Sequence, residues 1–566
     1  MRKILFTLLG AVLSVAVASA HVNPERENAP NNNNDQVSFR SNCDVAKAQR
    51  DQAVNNVRAR LTTGGDVWWD GNDGRYVVPK VPPGEPEVSS IFAGAVWLGG
   101  VDAAGNLKLA AQTYGRSSGA TDFWSGPLTP LNAENPGETD QETCSNWDAF
   151  FVVTGDEIDE HLRLYNESIE NGTPYEASQI PSGVRGWPGR GNPYFFDVNG
   201  FELPNTAQGL AGFADQDADG FYNPLNGDFP IIEIRGCPDP QYPDEMIFWI
   251  YNDNGNVHTQ SNADPIRMEI QVQAFGYATN DELNDMTFQR YKLINRALEP
   301  IDSTFFAMWV DPDLGCYTDD FIGCDTVRSL GYVYNEDALD GQTGCQCPQG
   351  VNTYCGEIPL LGVDYFRGPL APVRFGENGE LIPIEVGENP DTAIELGMSS
   401  FTYYNNGGLP GTPPGTSDPG QPIEYYRYLT GHWRDGTPFT YGGEAYQDGT
   451  EPIDYAYTEA PDDVDGWSMC TANVTLGQDR RTIQASGPFL LSPGAVNELI
   501  IGVVWVADQP YPCPSIRQLQ QADDIAQALF DNCFDIVDGP DAPDIDIIEL
   551  DEELILVLTN DEVQSN

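Results

Sequence analysis

The sequence has few basic residues, and this scarcity excludes one large class of functions. Lys and Arg number 28 against 86 Asp and Glu, so the formal net charge of the 566 residues is −58 at pH 7. Such a chain repels the phosphate backbone of nucleic acids, so no nucleic-acid partner is expected. Hydrophobic residues still make up 40% and aromatic residues 11%, which is too much apolar surface for a disordered acidic polymer.

Long hydrophobic runs are also lacking beyond the N-terminus. Arg2 and Lys3 precede an apolar run over residues 4–17, and Ala18-Ser19-Ala20 follows it as a small-residue cleavage site. This order predicts a signal peptide over residues 1–20. The run is shorter than the about 20 residues that a membrane span needs, so no span is expected after cleavage.

Enzyme motifs are largely missing. The chain has four His residues, no HExxH pair, no Walker loop and no dinucleotide fingerprint. Gly115-Arg116-Ser117-Ser118-Gly119 matches GxSxG, but a nucleophile elbow needs a helix directly after it, and residues 121–130 carry Gly and Pro instead. The sequence therefore favours a non-enzymatic role and names no catalytic or organic-cofactor residue.

Cysteines are present in an odd number, which is eleven. Outside the cytoplasm disulfides are expected, and one thiol stays free or joins a partner chain. Cys316 and Cys324 bracket an acidic segment, so we expect a disulfide between them. No CxxC pair supports a zinc site.

Glycine and proline are abundant, with 57 Gly and 43 Pro, and this abundance indicates many turns. The expected fold is mainly β, with antiparallel β-sandwich domains, long loops and a few short flanking helices. Helices are predicted over residues 43–61 and 156–169, and from Ser515, where Ser515 and Gln518 match a capping box.

Strands are predicted from alternating apolar residues and turn signals. Residues 266–278 alternate at their start, which predicts a sheet with one solvent-exposed face. Two hairpins are expected, one pairing residues 286–295 with 303–310 and one pairing 480–491 with 497–507.

Composition shifts divide the chain into seven regions. In chain order these are a signal peptide (1–20), a disordered leader (21–40), an N-terminal α+β region ending in a calcium-type loop (41–230), sandwich strands with a second acidic loop (231–340), a loop-rich region (341–470), closing strands and a helix (471–545), and the start of a further β segment (546–566).

A DxDxDG motif begins at Asp215 and is the clearest candidate site. Acids at alternate positions of a tight loop converge on one point, and calcium needs six to eight oxygen ligands. Asn226 replaces the bidentate Glu of an EF-hand and Pro224 prevents a following helix, so the loop is similar to those of dockerin- or thrombospondin-type repeats. The expected Ca²⁺ ligands are Asp215, Asp217, Asp219, the Phe221 carbonyl, Asn223 and Asp228. The alternative is an acidic surface turn.

A second acidic group follows the apolar strand at residues 305–310. Clustered carboxylates repel one another unless a cation lies between them. The expected ligands of a second calcium ion are Asp311, Asp313, Asp319, Asp320 and Asp325. The alternative is a solvated loop.

Aromatic residues beside polar turns suggest a third kind of site, because aromatic rings stack on the flat faces of sugars. The candidate saccharide contacts are Trp68, Trp69, Trp124, Tyr425, Tyr426 and Trp433. The alternative is that these rings belong to the core of large sandwiches.

Several segments together resemble the N-terminal region of long secreted β-rich proteins of bacteria that use type IX secretion, a family with no established activity. The segments are residues 60–70, 91–100, the Asp215 loop, 309–315, 487–489, 492–494 and 539–543. The resemblance implies further β domains and a C-terminal sorting domain, neither of which the sequence contains. We therefore expect a secreted or cell-surface protein, or a periplasmic one if the C-terminus is genuine.

These observations together predict a secreted, calcium-stabilised β protein with a structural or cell-surface interaction role, and a surface glycan or protein as its partner. One alternative is a saccharide-binding module or polysaccharide-degrading hydrolase. Another is a subunit of a larger surface assembly, joined through the unpaired cysteine.

Overall fold

A computed structural model describes residues 42–238, 242–376, 378–472, 474 and 479–534, and the backbone of 544–550 and 553–559. The predicted signal peptide and leader lie outside these residues. The helices α1 to α7 span, in chain order, Gly115–Ser118, Gln141–Asn146, Gly155–Asn171, Ser182–Arg185, Phe195–Asn199, Pro422–Leu429 and Arg517–Asp531. Short 3₁₀ turns lie at Ala177–Gln179, Pro224–Asn226, Glu282–Asp285, Pro348–Gly350 and Pro414–Thr416.

Strands dominate the described residues. In chain order β1 to β27 span Gln49–Gln52, Arg58–Thr62, Asp66–Val67, Tyr76–Val77, Ala93–Asp102, Leu107–Ala111, Trp124–Ser125, Phe151–Thr154, Phe213–Ala214, Phe229–Pro230, Glu245–Asn252, Met268–Gly276, Thr287–Asn295, Ile301–Asp311, Asp320–Asp325, Leu330–Asn335, Leu360–Arg367, Leu370–Phe375, Leu381–Pro383, Thr392–Glu395, Ser400–Asn405, Phe439–Thr440, Pro452–Ile453, Arg480–Leu491, Val496–Val506, Asp544–Leu550 and Glu553–Thr559.

Two nine-stranded sheets form the body of the protein. The first has the order β1-β2-β3-β5-β14-β24-β21, with β4 beside β2 and β6 beside β5. The second has the order β15-β16-β17-β25-β13-β12-β11-β7, with β8 beside β11. Neighbouring strands are antiparallel, for example β14 with β24 and β13 with β25. The mainly β, antiparallel fold class is confirmed.

The two sheets pack against each other through large side chains. Phe306 on β14 contacts Tyr291 on β13 and Tyr365 on β17, at ring-centroid distances of 5.4 and 6.4 Å. The Tyr365 hydroxyl donates to the backbone oxygen of Gln484 on β24, at 2.7 Å. Strands from residues 49 to 506 meet in these two sheets, so sequence regions far apart share one core.

Both predicted hairpins are wrong. β13 and β14 are consecutive in the chain, but they pair with β25 and β5 in different sheets. β24 and β25 are separated in the same way, since β24 pairs with β14 and β25 pairs with β17. The sequence marks these strands correctly, but each connecting turn carries the chain across the sandwich instead of along one sheet.

The predicted helix over residues 43–61 is also wrong. The structure has β1 and β2 there, paired as an antiparallel hairpin from Gln49 opposite Thr62 to Gln52 opposite Ala59. Val57, Ala59 and Leu61 are fully buried at a spacing of two, which is the period of a strand. Tertiary pairing thus overrides an apolar pattern that also fits a helix.

The two other predicted helices exist as α3 and α7. At the start of α3 the Thr154 side chain accepts the backbone N–H of Glu157, and the Glu157 side chain accepts the backbone N–H of Thr154. These two reciprocal bonds form a capping box. The capping box predicted at Ser515 is absent, because α7 begins at Arg517 with Ile516 as its cap residue. None of the described helices has the length and apolar character needed to cross a membrane.

The solvent-exposed face predicted for residues 266–278 is covered. Every residue of β12 is buried. Gln271 and Gln273 donate their side-chain amides to the backbone oxygens of Gly209 and Ile231, at 3.1 and 2.9 Å. The segment before β11 therefore covers this face and provides acceptors for its polar side chains.

Five disulfides tie the loops to the sheets: Cys43–Cys144, Cys237–Cys533, Cys316–Cys347, Cys345–Cys355 and Cys470–Cys513. The predicted Cys316–Cys324 bond is wrong. Cys324 lies inside β15, where its thiol is buried and free, and it contacts the backbone oxygen of Ala456 at 3.4 Å. A buried thiol cannot reach another chain, so an intermolecular disulfide through this cysteine requires local unfolding.

Candidate metal sites

The acidic loop, residues 215–228, gathers three carboxylates at one point. One oxygen each from Asp215, Asp217 and Asp228 lies within 4.8 Å of the other two. Gly220 lies at φ +80°, a left-handed conformation that glycine adopts without strain, and this lets the loop turn back on itself. The loop thus concentrates negative charge where a cation of calcium's size could be held.

Backbone donors hold the loop in this shape. The Asp215 carboxylate accepts the N–H groups of Asp219 and Gly220, at 3.2 and 2.8 Å. Asp228 accepts those of Gln216 and Asn223, both at 2.8 Å. The two ends of the loop are therefore linked by the same carboxylate that closes the site.

A histidine fixes the base of the loop. His161 on α3 is buried, with Nε2 3.0 Å from the Asp228 backbone oxygen and Nδ1 2.9 Å from the Tyr175 hydroxyl. Burial lowers the pKa of His161 to about 4. A neutral ring donates through one nitrogen and accepts through the other, so we assign Nε2 as the donor to Asp228 and Nδ1 as the acceptor from Tyr175.

The surroundings of Asp228 disfavour its ionised form. Burial raises the pKa of Asp228, and the charges of Asp215 and Asp217 raise it further. Its bonds from Asn223 and Gln216 act in the other direction. A divalent cation among the three oxygens would remove this repulsion.

The remaining predicted ligands of the loop have other contacts. Asp219 Oδ1 accepts the Phe221 N–H at 2.7 Å, and Asn223 Oδ1 accepts the Leu225 N–H at 3.1 Å, which caps the 3₁₀ turn. Asn226, not predicted as a ligand, donates to Asp217 at 2.6 Å. Of the four predicted Asp ligands in the loop, the structure therefore brings together Asp215, Asp217 and Asp228 but not Asp219.

A second group, the buried acidic cluster, consists of Asp311, Asp313 and Asp479. One oxygen from each lies within 4.8 Å of the other two. Arg481 contacts Asp479 at 2.6 Å and Asp311 at 3.3 Å, and Tyr114 donates its hydroxyl to Asp311. Burial raises the pKa of Asp311 to about 7 although Arg481 lowers it, and burial with the charge of Asp311 raises that of Asp313.

Sequence reasoning missed Asp479 and Arg481 in this cluster. Arg481 lies 170 residues from Asp311 in the chain and reaches it because β14 and β24 are neighbours. A guanidinium already supplies a positive charge there. The cluster differs in this respect from the acidic loop, whose three convergent carboxylates form no ion pair with a described Lys or Arg.

The other acids of the second predicted site lie apart from this cluster. Asp319 joins Asp340, with an oxygen of each within 4.8 Å of the other and of the Cys316 sulfur. That sulfur is bonded to Cys347 and cannot act as a thiolate ligand. Burial raises the pKa of Asp319 to about 6 and that of Asp340 to about 7. Asp320 is buried and accepts the Leu314 N–H at 3.0 Å.

Asp325 is predicted as a calcium ligand, but its carboxylate has other partners. Its carboxylate accepts hydrogen bonds from Arg328 and Gln520, both at 2.8 Å, and from the Val327 N–H at 2.9 Å. These bonds lower its pKa, against the effect of burial. Asp325 therefore fastens β15 to α7 and belongs to none of the metal-ligand groups of the described residues.

The six candidate saccharide contacts lie in the core. Trp68, Trp69, Trp124, Tyr425, Tyr426 and Trp433 are at most 3% exposed. Trp433 stacks on Phe439 at 4.0 Å and Tyr425 contacts Trp97 at 4.8 Å, so their faces are taken by other rings. A sugar could stack on them only if the core opened, so their burial favours the interpretation as core residues.

The GxSxG segment forms α1, a helix of four residues, and the Ser117 hydroxyl contacts the Tyr114 backbone oxygen at 3.3 Å. No described hydrogen bond joins it to a histidine.

The buried His258 has its own contacts, with Nδ1 2.9 Å from the Leu109 backbone oxygen and Nε2 2.6 Å from the Asp253 backbone oxygen. The carboxylates of Asp122 and Asp253 lie 3.6 and 3.9 Å from the ring, so His258 is held by these contacts and is not directed toward Ser117.

A cavity of about 580 Å³ lies beside His258 and carries mixed charges. Arg267 in its wall pairs with Glu138 at 3.1 Å, and Lys108 pairs with Asp264 at 3.7 Å. These four charges compensate one another, Glu299 adds a further acid to the wall, and this mixture favours no single class of ligand. No protein-family model and no curated protein matches the chain.

Proposed function

We propose that this chain is a secreted β-rich protein that calcium stabilises and that serves a structural or cell-surface interaction role. The observation that carries the proposal is the convergence of Asp215, Asp217 and Asp228 within 4.8 Å in the acidic loop. Three carboxylates in so small a volume repel one another, and a bound cation would compensate their charge.

Calcium fits the loop better than other common ions. All its side-chain ligands are oxygens, which excludes a preference for soft metals. Calcium accepts six to eight oxygens in irregular geometry, and backbone carbonyls and water complete such a shell. Magnesium usually keeps several waters and binds through one or two carboxylates, whereas three carboxylates converge in this loop.

The disulfides support the extracellular part of the proposal. Five bonds in one chain are typical of proteins that fold in an oxidising compartment. The two alternative functions receive less support. The aromatic residues proposed for saccharide binding are buried, and Cys324, proposed to join a partner, is buried as well.

The test is a thermal melt of the full chain with Ca²⁺, with Mg²⁺ and with a chelator, paired with calorimetric titration of Ca²⁺. At a hundredfold excess over the dissociation constant, one site adds about 2.7 kcal/mol. We expect the midpoint to rise with Ca²⁺, to rise little with Mg²⁺, and to return with chelator.

The matched variants are Asp217→Asn and Asp462→Asn. Asp217 belongs to the convergent group, whereas Asp462 is an exposed acid outside it. Asp217→Asn should remove the calcium-dependent part of the melt, and Asp462→Asn should retain it. An unchanged stoichiometry in Asp217→Asn would reject the acidic loop as the site.

A further inference from the structure

The interface between α7 and β17 holds two buried aspartates between contacts of large apolar side chains. Residues at even positions of β17 face α7: a side chain at Gly362 would touch Leu519, and Phe366 stacks on Phe530 at a centroid distance of 5.0 Å. Tyr365, at an odd position, points to the opposite sheet, where it bonds Gln484. This alternation fixes which side chains of β17 meet the helix.

Asp364 and Asp523 lie on the facing sides of β17 and α7 between those two contacts, and the charge of Asp523 acts on Asp364. Asp364 lies between Gly362 and Phe366 on the strand, and Asp523 lies one helical turn after Leu519 on the buried face of α7. Asp364 is 0% exposed and Asp523 is 2% exposed. Both oxygens of Asp364 and Oδ1 of Asp523 lack a well-formed hydrogen bond.

The charged groups around the pair are occupied elsewhere. Arg328 acts on both aspartates, but its guanidinium is bonded to Asp325 and Asp524, at 2.8 and 2.9 Å. The Tyr365 N–H is a backbone donor that acts on Asp364. The other charged groups of the packed elements also have partners: Arg290 pairs with Glu498, Asp285 with Asn56, Arg367 with Asp531, and Lys292 donates to the Gln208 oxygen. Glu282 and Arg517 are exposed.

We propose that Asp364 and Asp523 share one proton, and that this proton-binding site holds α7 on the second sheet. Two facing carboxylates with so few donors cannot both stay ionised in a dry interface. A single proton placed between them makes a hydrogen bond from the neutral carboxyl to the carboxylate and satisfies two of the three orphaned oxygens. The proposal does not depend on calcium binding in the acidic loop.

The pH dependence has a defined sign. Burial and the neighbouring Asp523 raise the pKa of Asp364, and burial raises that of Asp523 to about 7. An unfolded Asp titrates near pH 3.9. Between about pH 4 and 7 the folded interface binds the extra proton, so its contribution is fully present below about pH 4 and is lost as the pH rises to about 7.

The experiment compares Asp523→Asn with Asp524→Asn by amide hydrogen exchange of α7 in the full chain, at pH 5 and pH 8. The amide introduced by Asp523→Asn is a permanently neutral partner that donates to Asp364. We expect the ratio of α7 protection in this variant to that in the unmodified protein to be at least tenfold larger at pH 8 than at pH 5. Asp524→Asn, which removes an exposed partner of Arg328, should show no such gain between the two pH values.

Asp364→Asn is the second variant, and it should reproduce the gain at pH 8, because either aspartate can be replaced by a neutral donor. Equal protection ratios at pH 5 and pH 8 in both variants would overturn the proposal. A loss of protection in both variants, together with a chelator-sensitive α7 in the unmodified protein, would also overturn it and would place a metal ion between the two side chains.

Discussion

The acidic loop and the buried acidic cluster each bring three Asp carboxylates together, but the groups that face these carboxylates differ. Each brings three Asp oxygens within 4.8 Å of one another. The loop takes its carboxylates from one short segment and faces them with backbone N–H groups. The cluster takes its carboxylates from segments that meet only in the folded sheet, and faces them with Arg481.

The difference shows which acidic group needs an outside cation. Backbone N–H dipoles orient the loop but leave its net charge unchanged, so a bound cation has a role there. A guanidinium inside the cluster supplies a fixed positive charge and repels a second cation. Density of aspartate in a sequence is therefore a weaker guide to a metal site than the charge of the residues that face the aspartates.

The first test removes the Arg481 guanidinium from the buried acidic cluster. Arg481→Met keeps much of the length of the side chain but leaves Asp311 and Asp479 buried without a counter-charge. Removing one partner of a buried ion pair costs about 3–5 kcal/mol, and we expect a loss of this size in urea-induced unfolding. Arg163→Met is the control, because Arg163 forms exposed pairs with Glu160 and Glu167, and solvent screens such pairs so that their loss has little effect on stability. Similar losses in both variants would contradict the assignment.

The second change tests the base of the acidic loop. His161→Phe fills nearly the same space but leaves the Asp228 oxygen and the Tyr175 hydroxyl without their partner. Unsatisfied buried groups of this kind cost about 1–3 kcal/mol, so unfolding in chelator should occur at lower urea concentration. Calcium should still bind, since His161 contacts a backbone oxygen and not the carboxylate of Asp228. Complete loss of calcium binding would show that the ring positions the ligands as well.

The same contrast explains how much of the molecule the sequence could predict. The loop is local, so the alternating spacing from Asp215 predicts Asp217 beside it, and Asp228 is predicted as a late ligand of the same short segment. Strands such as β13, β14, β24 and β25 were found from their periodicity, but their partners were not, because a turn's residues do not say whether the chain stays in one sheet. Arg481 and Asp340 were missed for the same reason, as their contacts depend on long-range pairing.

A third change asks whether the buried acidic cluster holds a cation or a proton. The charges of Asp311 and Asp479 raise the pKa of Asp313 together with burial, which has the largest effect. Asp313→Asn removes this repulsion, and we expect a gain of about 1 kcal/mol at about pH 7.5, limited by solvent screening of a partly exposed residue. The gain should be the same with Ca²⁺ and with chelator. A loss that appears only with Ca²⁺ would instead place an ion in the cluster.

A fourth change replaces Asp219, which the motif predicts as a ligand and the structure leaves outside the convergent group. It should alter stability and calcium binding less than the other changes do. Asp219 Oδ1 accepts the Phe221 N–H, and Asn keeps an oxygen at that position. Asp219→Asn should therefore change stability in chelator by less than about 0.5 kcal/mol. With Ca²⁺ present it should weaken binding less than Asp217→Asn does, because it removes charge near the site without removing one of the three convergent oxygens. If calorimetry shows the two variants to be equally impaired, the side chain of Asp219 turns inward when calcium binds, and the hydrogen bond to Phe221 is exchanged for a bond to the ion.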